Sequence, residues 1–272
     1  MLKSKPQPAA RPYWHVDMKW VCGILFALGL WLALALYALT VLTSERIAVP
    51  LATQIAAQLV SRSGLDDPTD INALKQKASQ QPGNDVETLP GVFVTKADLQ
   101  TLTPRALRLK IFGEVVKPYY ELGAKGVAAK QTADPQKRAE IEQQVGLLGL
   151  VNQSNHDILV RVFWLSLALL VIPLAGLVYF SAGFGRLVSP GIIMALSTLA
   201  SAPLAVLLQI AAHSTKPAGD QPGPLPGVTA DSFATVVRAL LPGFLAVFAL
   251  GMLLLLVAAI GKVVSRHRTR PA

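Results

Sequence analysis

The chain has 272 residues, a formal charge of +9, 52% hydrophobic residues and 15% charged residues, with a mean hydropathy of +0.46. Soluble domains carry about 25% charge, so this composition excludes a disordered chain and an ordinary soluble fold, and points to the membrane class. A single cysteine excludes a disulfide framework and a multi-cysteine metal site.

Residues 1–19 form a short basic tail, with Lys3, Lys5, Arg11 and Lys19 against Asp17. The uncharged apolar run 20–42 follows. It is longer than the roughly 20 residues a helix needs to cross about 30 Å of hydrocarbon. It also exceeds a signal-peptide h-region, and no A-x-A site follows closely, so it reads as a retained first membrane helix.

Residues 43–158 are the one segment large enough for a domain, and they read as an extracytoplasmic helical domain. Their Ala, Gln, Lys and Leu content favours helix. Asp67-Pro68, Thr103-Pro104 and Asp134-Pro135 each place a capping side chain before a proline, which has no N–H to leave unpaired. The expected helices are 46–62, 69–80, 104–129 and 135–158. Apolar stripes support three of them: Ile47, Leu51, Ile55 and Leu59 on the first, Leu107, Ile111 and Val115 on the third, and Ile141, Val145 and Leu148 on the fourth. The stretch 80–98 reads as a loop, with Val92-Phe93-Val94 as a short extended piece. Pro50 is expected to separate the first of these helices from the first span. Pro118, Gly123 and Gly126 are expected to interrupt the third.

Three more apolar runs follow. Residues 159–180 form the second span, with Arg161 near its start. A cytoplasmic turn at 181–189 leads to the third span, 190–212, started by Ser189-Pro190. An extracytoplasmic loop at 213–235 leads to the fourth span, 236–260, with Arg238 near one end, and then to the tail 261–272. Pro173, Pro203 and Pro242 fall one in each of these spans. Small residues (Ala195, Ser197, Thr198, Ala200, Ser201, Ala202) make part of the third span thin. Gly23, Ala27, Gly243 and Gly251 likewise let helix backbones approach within the bundle.

The charge fixes an orientation. Residues 1–19 carry +3, 261–272 carry +4, and 44–160 balance 13 basic against 13 acidic residues. Basic residues near span ends stay cytoplasmic. Both termini and the Arg186 turn therefore fall inside, and the large segment falls outside. The expected fold is an all-α membrane protein, with four transmembrane helices and a helical extracytoplasmic domain between helices 1 and 2. Its place is the cell membrane, multi-pass, with both termini cytoplasmic.

The chemistry is sparse. The four histidines, His15, His156, His213 and His267, are scattered. His156 and His213 both fall just above the outer surface, but a metal site there needs further ligands such as Asp157 or Asp220, and solvated interfacial histidines are the simpler reading. No H-E-x-x-H, G-x-S-x-G or Walker A pattern occurs. Gly183-Phe184-Gly185 reads as a tight turn, Cys22 as a buried small residue, and Tyr119-Tyr120 as bundle core. Asn152-Gln153-Ser154 matches a glycosylation sequon within a predicted helix close to the membrane. Gln209 is the main strongly polar side chain at depth, and it reads as a structural hydrogen bonder. No acid, lysine or histidine sits mid-span, which argues against a pump.

These residues assign no catalytic, cofactor-binding or metal site and call for no cofactor. The expectation is a non-enzymatic accessory, scaffold or sensing component, using its outer helical domain for partner or ligand contact. The architecture resembles bacterial helical sensory domains held between two spans. Its expected partners are the lipid bilayer and a membrane protein or second copy of itself. Nucleic acid is not among them, because the basic stretches lack interleaved aromatics. The alternative is a permease-like subunit of a transport complex. A large first outer loop and a small second one are similar to the topology of cell-division-type ABC permease subunits, although the 181–189 turn is short for a coupling helix of that family.

Overall fold

A computed structural model describes residues 13–61, 65–80, 83–89, 92–131, 134–136, 138–139, 151–199 and 226–268. Its elements in chain order are α1 (Trp14–Thr43), α2 (Glu45–Val60), α3 (Thr69–Gln80), β1 (Asp85–Leu89), β2 (Val92–Thr95), α4 (Lys96–Thr101), α5 (Pro104–Gln131), α6 (Gln153–Phe180), α7 (Gly185–Leu199) and α8 (Pro226–Arg268). The chain divides into two compact units. One comprises Met1–Tyr37, Val162–Pro203 and Leu241–Ala272; the other comprises Ala38–Arg161 and Leu204–Leu240.

Helices α1, α6 and Ala234–Ser265 of α8, most of whose residues belong to the first unit, are long and apolar enough to cross a membrane, and α7 is a shorter apolar helix. Their exposed faces say why. On α1, Cys22, Phe26, Leu30 and Ala33 repeat at helical spacing and are buried, while Trp20, Ile24, Leu28 and Trp31 repeat on another face and are 57–69% exposed. Both faces are apolar. The same holds for Leu165, Leu169 and Ile172 on α6, and for Leu245, Leu253 and Leu256 on α8, all exposed. Even half-exposed, each such side chain forgoes on the order of 1 kcal/mol in water. Together they would consume a domain's whole margin of about 5–15 kcal/mol. These surfaces suit hydrocarbon, and the protein is a multi-pass membrane protein in contact with the bilayer.

Small residues set the packing inside this unit. A Cβ on Gly251 of α8 would lie 2.9 Å from the Ala195 backbone nitrogen and 3.0 Å from the Gly191 carbonyl of α7. The two backbones therefore touch at a glycine–glycine crossing. Gly243 gives up its side-chain space to the Tyr37 ring, and Gly176 to Cys22 Sγ. Cys22 joins Phe26 and Leu177 in a buried cluster bordered by Leu170, Leu174 and Ile193.

The helices overrun the apolar runs at α1, α6 and α8. The expected 213–235 loop gives way at Pro226, where α8 starts with proline in the first turn. Ser189-Pro190 does not start the third apolar helix. That helix begins at Gly185, because Gly183 takes a positive φ of 51° and the next amides turn back onto Ala182, Gly183 and Phe184 carbonyls. Pro190 then lies inside α7. Residues 200–212, including Pro203 and Gln209, lie outside the described residues, as does the 213–225 part of the loop.

The second unit holds a core of its own. Ile71 and Ala78 of α3, Val86 of β1, Val92 and Val94 of β2, Leu99 of α4, and Leu107 and Ile111 of α5 are all buried together, with Leu74, Leu102 and Val115 packed against them. The expected stripe on α5 is thus an inward face. The all-α expectation fails here. The stretch 80–98, expected as a loop with an extended piece at Val92-Phe93-Val94, holds an antiparallel hairpin whose second strand is that piece and which pairs Asp85 with Thr95, Val86 with Val94 and Glu87 with Phe93, with a bulge between Glu87 and Leu89. The strands exist because Val86, Val92 and Val94 alternate inward onto α5 while Phe93 stays exposed. α4 follows at once, capped by Thr95, whose hydroxyl oxygen accepts from the Asp98 amide.

Two of the three caps placed before a proline, Thr103 and Asp134, behave as expected; at Asp67-Pro68 the helix starts one residue later, with the Asn72 amide on the Pro68 carbonyl. The Ala106 amide donates to Thr103 Oγ1 at 3.3 Å, the Gln136 amide to Asp134 Oδ1 at 3.0 Å, and the Thr69 amide to Asp67 Oδ1 at 3.0 Å. Pro50 does not separate α1 from α2. The break is at Ser44 (φ −65°, ψ 143°), and Pro50 lies inside α2. The most deeply buried α2 residues are Ala48, Thr53 and Ala57 rather than the larger Ile47, Leu51 and Ile55, so α2 packs closely along α5. The Leu59 side chain and the Ile141, Val145 and Leu148 stripe lie outside the described residues. The continuous helix expected over 135–158 is interrupted: Val151 and Asn152 are non-helical and a new helix starts at Gln153.

Candidate functional site

Within the second unit, three helices converge on Thr43, the last residue of α1. A helix end leaves its final carbonyls without intrahelical donors, and here side chains supply them. The Thr43 hydroxyl donates to the Leu39 carbonyl at 2.8 Å, and the Ser44 hydroxyl to the Val41 carbonyl at 2.6 Å. The Thr43 carbonyl accepts from the Tyr120 hydroxyl of α5 at 2.8 Å. Thr43 Oγ1 also lies 3.1 Å from Nδ1 of His156, in the first turns of α6. Which of Thr43 Oγ1 and His156 Nδ1 donates in that bond is set by the imidazole tautomer.

Local sequence puts each partner in place. Asn152 caps α6: its Oδ1 accepts from the Asn155 amide at 2.9 Å and its carbonyl from the His156 amide at 3.0 Å. That fixes His156 one turn into the helix. On α5, Gly123 takes φ 68° and ψ 173°, a kink within the helix that only glycine adopts without strain. A Cβ there would lie 3.8 Å from Asn152 Nδ2, so the bend of α5 sits beside the cap of α6. Tyr120, one turn earlier, is 4% exposed. Burial pushes its phenol above the usual range, and the carboxylates of Glu45 and Asp157 push it the same way.

The arrangement is a knot. Thr43 Oγ1 meets the Leu39 carbonyl and the His156 imidazole together. Among the described residues no group of three or more His, Cys, Asp or Glu side chains gathers to hold a metal. What the geometry does is tie the end of α1, the kinked middle of α5 and the start of α6 at one residue.

The residues singled out by sequence fall as follows. Tyr120 is buried, as expected of core, but its hydroxyl is also used; Tyr119 is half-buried. His156 is bonded to Thr43 rather than simply solvated. The pairing of His156 with His213 or Asp220 lies outside the described residues. His15 stacks beside Trp14 and Phe180, and the His267 side chain lies outside the described residues. Sequence reasoning missed Thr43. Its only signal is a Thr-Ser pair closing an apolar run. The chain matches no protein-family model, no curated protein and no solved structure.

Proposed function

We propose that this is a four-pass protein of the cell membrane with both termini cytoplasmic, in which α7 and the residues after it to 212 make the third span. In this reading the second unit is an extracytoplasmic domain, and the protein is a non-enzymatic accessory, scaffold or sensing component. Its outer domain contacts a partner or ligand, and the Thr43 knot carries displacement of α5 to the outer ends of α1 and α6. The observation that supports it most is the pairing of exposed apolar helices with a segment between the first two that has its own buried core. The near-absence of mid-span ionisable residues supports the accessory role over a pump.

Two measurements test it. Reporter fusions at either terminus are expected to read as cytoplasmic, and fusions within 65–131 as external; an external terminus overturns the topology. Chemical crosslinking in native membranes, followed by purification in mild detergent and mass spectrometry, is expected to recover a membrane-protein partner attached through 44–157. Recovery of this chain alone counts against the accessory reading.

A further inference from the structure

One end of the first unit gathers aromatic and basic groups from all four of its helices. The Phe180 ring, closing α6, meets Trp14 edge-on with centroids 5.8 Å apart and lies 5.5 Å from the His15 ring. Phe184, in the turn that follows, is so close to α8 that a Cβ on Gly261 would lie 2.5 Å from its ring. Lys262 is the next residue, Arg186 lies two residues beyond Phe184, and Lys19 lies in the second turn of α1. Tyr13, Trp14, Trp20 and Tyr179 are exposed around them.

The charge of this unit is one-sided. It contains nine basic residues and a single acid, Asp17, whereas the other unit is close to neutral. Among the described residues no carboxylate pairs with Lys19, Arg186 or Lys262. Arg186 is exposed and also held in place, because its Nε donates to the Ser181 carbonyl at 3.3 Å. That bond uses one edge of the guanidinium and leaves the planar pair of terminal amino groups free to grip an oxyanion with two parallel bonds. The amides of Gly185, Arg186 and Leu187 already donate to the turn, so recognition here belongs to side chains.

We propose that this end of the bundle binds the phosphate headgroups of anionic phospholipids, with Arg186 as the principal contact and Lys262 and Lys19 beside it. The exposed tryptophans and tyrosines fit the water–hydrocarbon boundary, and the basic residues sit directly at the ends of apolar, exposed helices. That combination fits a lipid headgroup, whose acyl chains run along the apolar faces, better than a soluble polyanion. The inference rests on the membrane-spanning reading and adds a ligand class to it.

The test uses the full chain in detergent and native mass spectrometry, with phosphatidylglycerol and phosphatidylcholine offered in equal amounts. Phosphatidylglycerol is expected to be retained preferentially. Arg186→Gln is expected to lower that preference about fivefold, the factor implied by the loss of one basic contact near an anionic surface. Arg161→Gln, in the other unit, is expected to leave it unchanged. Should Arg186→Gln fail to fold, Lys262→Gln carries the same expectation. Equal retention of the two lipids, or a preference unaltered by both Arg186→Gln and Lys262→Gln, overturns the inference while leaving the membrane reading standing. A chain that stays dispersed without any amphiphile overturns both.

Discussion

The two units solve the same problem with opposite surfaces. In the second unit Leu107, Val86 and Leu99 are buried against each other, and Glu87, Asp98 and Lys110 sit toward water. In the first, Leu28, Trp31 and Leu253 stay exposed although a buried side of the bundle exists for Phe26 and Leu177. Burial alone therefore does not sort these residues; the solvent does. A domain in water gathers its large apolar side chains centrally. A bundle in hydrocarbon gains nothing by hiding them, and its backbones approach through glycines instead.

The widest difference should appear in a matched pair of truncations. Leu107→Ala is expected to destabilise the second unit by about 2–5 kcal/mol, the range for an emptied core site. Leu28→Ala, facing outward, is expected to change stability by less than about 0.5 kcal/mol. Hydrogen exchange of α5 and thermal melting in detergent read the two effects, and similar losses in both would erase the distinction.

The next effect is specific to the first unit. Gly251→Leu places atoms where the Gly191 carbonyl and the Ala195 nitrogen already stand at 3.0 Å and 2.9 Å from the first added carbon. A loss of about 1–3 kcal/mol is expected from forcing the helices apart, read as a lower melting temperature in micelles. An unchanged melt would mean that α7 and α8 do not cross there.

A smaller change sharpens the knot. Tyr120→Phe removes the donor to the Thr43 carbonyl and is expected to cost about 1 kcal/mol, with faster hydrogen exchange in the last turn of α1. The parent protein should also lose stability in alkali. The phenol is held above its ordinary value of about 10 by burial and by Glu45 and Asp157. The folded state therefore keeps its proton longer than the unfolded one, and stability falls as pH rises from that ordinary value through the raised one. Tyr120→Phe should show a shallower fall, and an identical alkaline profile would place Tyr120 outside the effect.

The smallest effect lies on the hydrophilic surface. A salt bridge from Lys110 at 2.7 Å, with the Thr95 hydroxyl at 2.6 Å, holds the Asp98 carboxyl below its usual range. This contribution is present above the ordinary value near 3.9 and is lost as pH falls through the depressed one. Lys110→Met should move the Asp98 titration, followed by NMR, upward toward that ordinary value.

Much of this was legible. The apolar runs marked the three helices long enough to cross a membrane and the shorter apolar α7, and Thr103-Pro104 and Asp134-Pro135 marked helix starts in the second unit because side-chain oxygen and missing N–H act locally. The hairpin was legible only in part: Val92-Phe93-Val94 reads as extended and is most of β2, whereas β1 and the pairing were missed. Its strands are five and four residues long, and only burial of Val86, Val92 and Val94 with Leu107 and Ile111, a tertiary effect, makes them strands. The Thr95-x-x-Asp98 capping pattern was there to be read and signals α4. Ser189-Pro190 misled because a cap-then-proline pair is tolerated inside a helix that the Gly183 turn has already begun. Thr43 was invisible as a site, since its role comes from residues 77 and 113 positions away.

The contrast between the units rests on hydrocarbon at the face of Trp31. A variant that keeps Trp31 and replaces Trp14, Trp20 and Trp164 by phenylalanine isolates its fluorescence in reconstituted vesicles. Lipids brominated near mid-chain are expected to quench it strongly, and aqueous iodide is expected to leave it bright. Quenching by iodide with no response to bromolipid would contradict a lipid-facing first helix and the account built on it.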